Sequence, residues 1–376
     1  MKKLYPLSFL AGLALTALPL AALAQQAQVQ ESEIRREGRV WVKRIDCGAP
    51  LRTGGRLSVR ADIGSVVVRA GREGRIECQV RLRVYTREEE MARTVLGYYR
   101  VQVRPRGGNV EVRGNWQDGS QSPAARGERE KRQRRSRWVR SPSVVDVLYE
   151  IRTPLQVNVD LETRGGDLIV EQLEGDVRAV TAGGGIVIGD TSGTVTAATA
   201  GGDIKLGDVG RKAEARTAGG SIRVGDVQGD AELETSGGEI VVGQVQGSLR
   251  AETAGGDIRC KGAGADIHAQ TAGGRIHIGS SGGRVQAQTA GGSIRLGHAR
   301  GPIRVETAGG SIDLQLVHGS VQAITNRGAI RAQIAATAEN FGASMLETAS
   351  GDIVVYLPPD LPLTIEAVIE QAAGHH

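Results

Sequence analysis

From Thr163 onward, hydrophobic and polar positions follow a pattern that repeats every 18 residues. The same threonine stands at Thr163, Thr181, Thr199, Thr217, Thr235, Thr253, Thr271, Thr289, Thr307 and Thr325, usually followed by Ala-Gly-Gly, and a relaxed copy opens at Thr348. With this threonine as position 1, aliphatic residues fall at 6, 8, 11, 15 and 17, and polar residues at 7, 12, 14, 16 and 18 in most copies. Position 6 is Leu or Ile in every copy from Leu168 to Ile330; position 8 is a larger aliphatic residue except at Cys260 and Ala332. Alternation of period two places such residues on one face of a strand. Glycines at positions 3, 4 and 9, and commonly 13, suit turns through positive φ or close approach between coils. Each coil therefore reads as strand, corner, strand, corner.

One coil buries too few side chains to offset the entropy of ordering its backbone, so neighbouring coils must complete it. Stacked about 4.8 Å apart, ten coils give a rod about 48 Å tall with an aliphatic ladder inside. The predicted class is all-β: a single-stack β-solenoid of 18-residue two-strand coils, capped by an irregular β-rich N-terminal domain. No aromatic residue occurs between Thr163 and Asn340, which suits a narrow interior. Two other 18-residue coils fail on residues. The left-handed hexapeptide helix needs apolar positions 12 and 18, where this chain has residues such as Gln228 and Glu234. The calcium β-roll needs Gly-Gly-x-Gly-x-Asp, whereas Gly-Gly is followed here by x-Ile.

Residues 1–24 read as a secretory signal: Lys2 and Lys3, an apolar run from Phe9 to Leu20, and Ala22-Leu23-Ala24 at the cleavage site. A transmembrane anchor is the competing reading of that run, but it is short and interrupted by Pro19; no later stretch is long and apolar enough to span a bilayer. Residues 25–116 form the capping domain, with one helix predicted after the capping-box spacing Thr86-Arg-Glu-Glu89. Residues 117–143 are a basic flexible loop, 144–351 the solenoid repeats, and 352–376 the closing strands. Cys47 and Cys78 lie in the capping domain and can pair, while Cys260 occupies an inward position as a small hydrophobe.

Charge singles out one segment. Residues 126–140 hold Arg126, Arg129, Lys131, Arg132, Arg134, Arg135, Arg137 and Arg140 against only Glu128 and Glu130, with Trp138 among them. That surplus exceeds the formal +5 of the whole chain, so the basic character belongs to this segment. A second candidate is the outward stripe at position 7, with Lys205, Arg223, Arg259, His277, Arg295 and Arg331, interrupted by Val241 and Asp313. It could track an anionic polymer; outward charges also keep a sheet face soluble and discourage lateral pairing, which is the favoured reading of the stripe. Asp167, Asp203 and Asp257 share outward position 5, in a column that also holds Gly185, Ser221 and Arg275. The histidines give no metal-ligand spacing: His268 and His277 fall on different strands, and His298 and His318 stand isolated. Neither a cofactor nor a metal is expected, and the scarcity of aromatics speaks against nucleic acid.

The opening Leu57-Ser-Val-Arg-Ala-Asp-Ile-Gly-Ser-Val, the segment Ile151-Arg-Thr-Pro-Leu-Gln-Val, the first repeat from Glu162 to Val177 and the recurring Thr-Ala-Gly-Gly-x-Ile resemble the bacterial putative-adhesin family, from about Arg39 to Glu370. Proteins of that family are extracytoplasmic β-solenoids, and it supplies no catalytic residues. The resemblance implies an envelope location, in the periplasm or at the cell surface, and a binding or structural role. The basic loop departs from the usual pattern. The expected function is a non-catalytic adhesin-like scaffold contacting anionic envelope polymer, lipid or another envelope protein. The alternative is a polysaccharide-active β-helix enzyme of the periplasm, which needs loops that gather carboxylates into a cleft.

Overall fold

The computed structural model describes residues 27–117, 145–337 and 341–369. At the N-terminal end, β1 (Gln28–Glu31) and β2 (Arg35–Glu37) pair antiparallel with β3 (Val40–Pro50). Next, β4 (Arg56–Ala61) and β5 (Ser65–Ala70) form two sides of a coil, followed by β6 (Arg75–Val84), α1 (Glu89–Tyr98), β7 (Tyr99–Arg106), β8 (Asn109–Trp116) and β9 (Val145–Thr153). β8 lies parallel beside β4, and β9 parallel beside β5. Above them, β4 stacks on β10 (Asn158–Thr163) with Leu57 beside Val159, and β5 on β11 (Leu168–Val170) with Val66 beside Leu168. Coil-like stacking thus continues two rungs below Thr163, hidden from an 18-residue period because long connections separate its strands in sequence.

The end of the stack is closed by antiparallel strands. β7 pairs with β8, β6 with β9, and β3 with β6, while α1 buries Ala92, Val95 and Leu96 against them. Cys47 and Cys78 face each other across β3 and β6 and form a disulfide, with their Cα atoms 4.8 Å apart. The helix stands where the sequence predicts it, but no capping box forms. Glu88 is the extended N-cap without a side-chain cap, and the Thr86 hydroxyl instead accepts the Glu88 N–H at 3.2 Å. The helix begins two residues later than a Thr86 N-cap would require, so Thr86 does not reach it.

The shaft consists of two parallel sheets. Strands at positions 6–8 stack from β11 to β31 (Ile353–Tyr356), and strands from position 15 to the next threonine stack from β10 to β30 (Met345–Thr348). Register is kept: Ile222 lies between Ile204 and Ile240, and Thr217 between Thr199 and Thr235. Positions 6, 8, 15 and 17 are buried in every coil from Leu168 to Ala332. Position 17 is mostly alanine facing the Ile ladder, so the interior is thin and excludes rings. Position 11 adds a third short side: Leu173, Thr191, Val209, Val227 and Val245 join by single-residue bridges, and from Ile240 upward the first-sheet strands lengthen to include this position. The threonine is also buried, at 7% exposure or less in all ten copies.

The other end differs from expectation. Only β30 and β31 close the stack, and residues 357–369 add no strand.

Candidate functional site

Register brings the position 7 residues together as expected. Lys205 lies beside Arg223, and Arg259, His277 and Arg295 are consecutive neighbours. Acids on the same face then neutralise much of the stripe. Arg223 is ion-paired with Glu239, and Arg259 reaches both Glu239 at 2.9 Å and Asp257 at 2.8 Å. Arg295 lies 3.3 Å from Asp313. Among the described residues, Lys205 and His277 make no ion pair. Exposed pairs of this kind contribute about 0–1 kcal/mol each, so their effect is on surface charge more than on stability. Spacing alone could have revealed this lattice, because position 5 acids stand two residues before position 7 bases on one strand face.

The carboxylates at the corners have a structural task. Asp167, Asp203 and Asp257 each accept, at 2.8 Å, the backbone N–H of the same corner one coil later, from Gly185, Ser221 and Arg275. The N–H of Arg275, together with the charges of Arg275 and Arg259, holds the Asp257 carboxyl below the usual carboxylate range. Asp190, Asp208 and Asp226 repeat the device at position 10, as do Asp176, Asp230 and Asp266 at position 14. These columns cap backbone donors along the stack. Sequence reading, which treated position 5 as a mixed solvated surface, missed this.

No cluster of three or more potential metal ligands occurs among the described residues. His298 and His318 are not isolated, however. Their rings meet edge to face, with centroids 5.0 Å apart. His318 Nδ1 lies 3.3 Å from the carbonyl oxygen of Ala299. An open trough of about 700 Å³ runs along the second sheet, where Glu234, Glu252, Gln270, Gln288 and Glu306 stand beside a shelf of alanines. Glu252 is tied to Arg250 and lies 3.2 Å from His268.

Arg126, Arg129, Lys131, Arg132, Arg134, Arg135, Arg137, Trp138 and Arg140 lie outside the described residues. Their flanks are well defined: β8 and β9 are two sides of one coil, so the segment joins them at the corner where β4 and β5 need only Asp62, Ile63 and Gly64. Gly114 stands in the threonine column there, beside Ala61. A side chain at Gly114 would collide with the Tyr149 hydroxyl, which is hydrogen-bonded to that of Tyr99. Burial pushes both phenols above their ordinary pKa. Trp116 packs edge-on against Tyr99 at 4.9 Å, so β8 ends on a packed aromatic core.

These features define a capped β-solenoid with a regular shaft and one inserted corner. No family model matches the chain, and no curated protein matches it. It is similar to solved structures described as a putative adhesin from Parabacteroides distasonis (11% identity, 85% of this chain and 98% of that one, TM-score 0.23) and a putative adhesin from Bacteroides fragilis (12%, 84% and 97%, TM-score 0.23). A third is described as a putative cell adhesion protein from Clostridium sporogenes (8%, 72% and 99%, TM-score 0.20). Their names agree with the family resemblance in the sequence, and at these TM-scores the likeness carries no functional argument. No described helix is long and apolar enough to cross a membrane.

Proposed function

We propose that this chain is a non-catalytic cell-envelope protein, an adhesin-like scaffold whose rigid shaft carries a cationic segment that contacts anionic envelope polymer or lipid. It acts outside the cytoplasm, in the periplasm or at the surface, after residues 1–24 are removed. The observation that carries this reading is the contrast between shaft and insertion. Many shaft charges pair with one another, whereas residues 126–140, between β8 and β9 in the sequence, concentrate eight Lys and Arg against two Glu. A concentrated basic segment attracts anionic surfaces, and an aromatic such as Trp138 then seats at the interface. The enzyme alternative is disfavoured by chemistry: the corner carboxylates hold backbone N–H groups of the next coil, where a glycosidic mechanism needs two free carboxyls across a cleft.

Co-sedimentation with anionic vesicles, lipopolysaccharide and cell-wall polymer, at rising salt, tests the proposal. Deleting residues 126–140 should abolish salt-sensitive binding and leave the β-sheet circular dichroism intact. Equal binding by the deleted protein would shift the contact to the Lys205 to Arg295 stripe; no binding by either would leave a spacer or a partner that is itself a protein.

A further inference from the structure

The two ends of the stack are finished differently. At the N-terminal end, α1 and the antiparallel strands cover the core. At the other end the ladder stops while still apolar. Ile353 continues the column of Ile330 directly, yet it is 43% exposed where Ile330 is 0%. β31 and β30 also leave one backbone edge each without a strand partner among the described residues, since β31 pairs only with β29 (Ile330–Ile334) and β30 only with β28 (Val321–Thr325). An aliphatic series follows: Leu363 is 38% exposed, Ile365 69%, Val368 72% and Ile369 91%. Free sheet edges beside exposed aliphatic side chains form a pairing template.

We propose that this end is a self-association surface on which a second copy of the chain docks, end to end, about a two-fold axis. The geometry selects that occupant. A two-fold perpendicular to the stack and normal to its two sheets sets β31 antiparallel to its own copy and β30 antiparallel to its own copy. Both sheets then continue through the junction with well-aligned ladder hydrogen bonds. With the axis passing at Val354, the inward Ile353 of each copy lies opposite the inward Val355 of the other, so the interior ladder closes on itself. Because each copy's far end is capped, the contact is isologous and stops at two copies, where an uncapped rod would grow into a fibre.

Sedimentation equilibrium of the full chain tests this across about 1 to 100 µM, a range that brackets weak to moderate affinity. A dimer is expected. The exposed double variant Ile365→Glu, Val368→Glu should weaken it at least about tenfold, equivalent to 1.4 kcal/mol, with unchanged circular dichroism. Mild oxidation supplies an independent readout. Val354→Cys, outward in the middle of β31, should cross-link to its copy, while Arg93→Cys on α1 should not. A monomer throughout the range, a dimer indifferent to the double variant, or cross-linking through Arg93→Cys would each overturn the proposal.

Discussion

The hydroxyl of Thr217 donates a hydrogen bond of 2.9 Å to the carbonyl oxygen of Gly202 in the preceding coil. The contact recurs from Thr181 onto Gly166 up to Thr325 onto Gly310, at 2.7 to 2.9 Å. In upper coils the same hydroxyl accepts the position 4 N–H of its own coil, as Gly220 donates to Thr217 at 3.2 Å. The repeating threonine therefore joins corner to corner inside the wall, and it is buried because position 1 continues the inward alternation of 15 and 17.

Replacing Thr235 with valine keeps the shape and removes the hydroxyl that binds Gly220 O at 2.7 Å. The expected cost is about 1–3 kcal/mol, that of orphaning a buried polar group. Serine at this position should recover most of it. Urea denaturation of the two variants measures the difference.

Adjacent glycines should respond in opposite ways. A Cβ on Gly220 would stand 2.1 Å from Gly202 O, whereas on Gly219 the nearest atom is Gly201 O at 3.4 Å. Gly220→Ala should cost about 1–3 kcal/mol or more by overpacking, and Gly219→Ala should stay within about 0.5 kcal/mol. Equal thermal midpoints for the two would contradict the close stacking of position 4.

Strand alternation makes a second neighbouring contrast. Ile222 is fully buried between two ladder rungs, while Arg223 faces outward against Glu239. Ile222→Asp buries an unpaired charge and should prevent folding of the surrounding coils, seen as lost β signal and rapid proteolysis. Arg223→Ser should cost no more than about 1 kcal/mol.

Thiol chemistry reports on the cap and shaft together. Denatured, unreduced protein should show one reactive thiol, Cys260, because Cys47 and Cys78 are joined. In the native state burial pushes the Cys260 thiol up to about 12, from an ordinary 9.0, and labelling at neutral pH should be slow. The unfolded chain releases this proton first, so the contribution is complete below pH 9 and is lost as pH rises toward 12. Buried Tyr99 and Tyr149 act in the same direction, so Cys260→Ala should reduce the alkaline loss without removing it.

Sequence by itself determined the shaft: the period, the inward ladder, parallel register and the soluble outer face. Identical rungs stacked in register turn a one-dimensional pattern directly into contacts, so local alternation and global packing carry the same information. It also located the disulfide partners and the charge-rich segment. Tertiary structure alone decided where the register begins and how it ends. Arg56–Ala70 and the pair β8 and β9 are coils that stack on rungs far from them in the chain, so no period exposes them. Glycine at position 4 owes its place to the carbonyl 2.0 to 2.4 Å from a would-be Cβ in the coils from Gly184 to Gly351, and positive φ occurs at only a few of these residues. The fate of charges was equally a matter of neighbours: Arg259 reads as a free cation until Glu239 and Asp257 are seen beside it. Pattern fixes which face a side chain takes, and only the assembled stack fixes what it meets there.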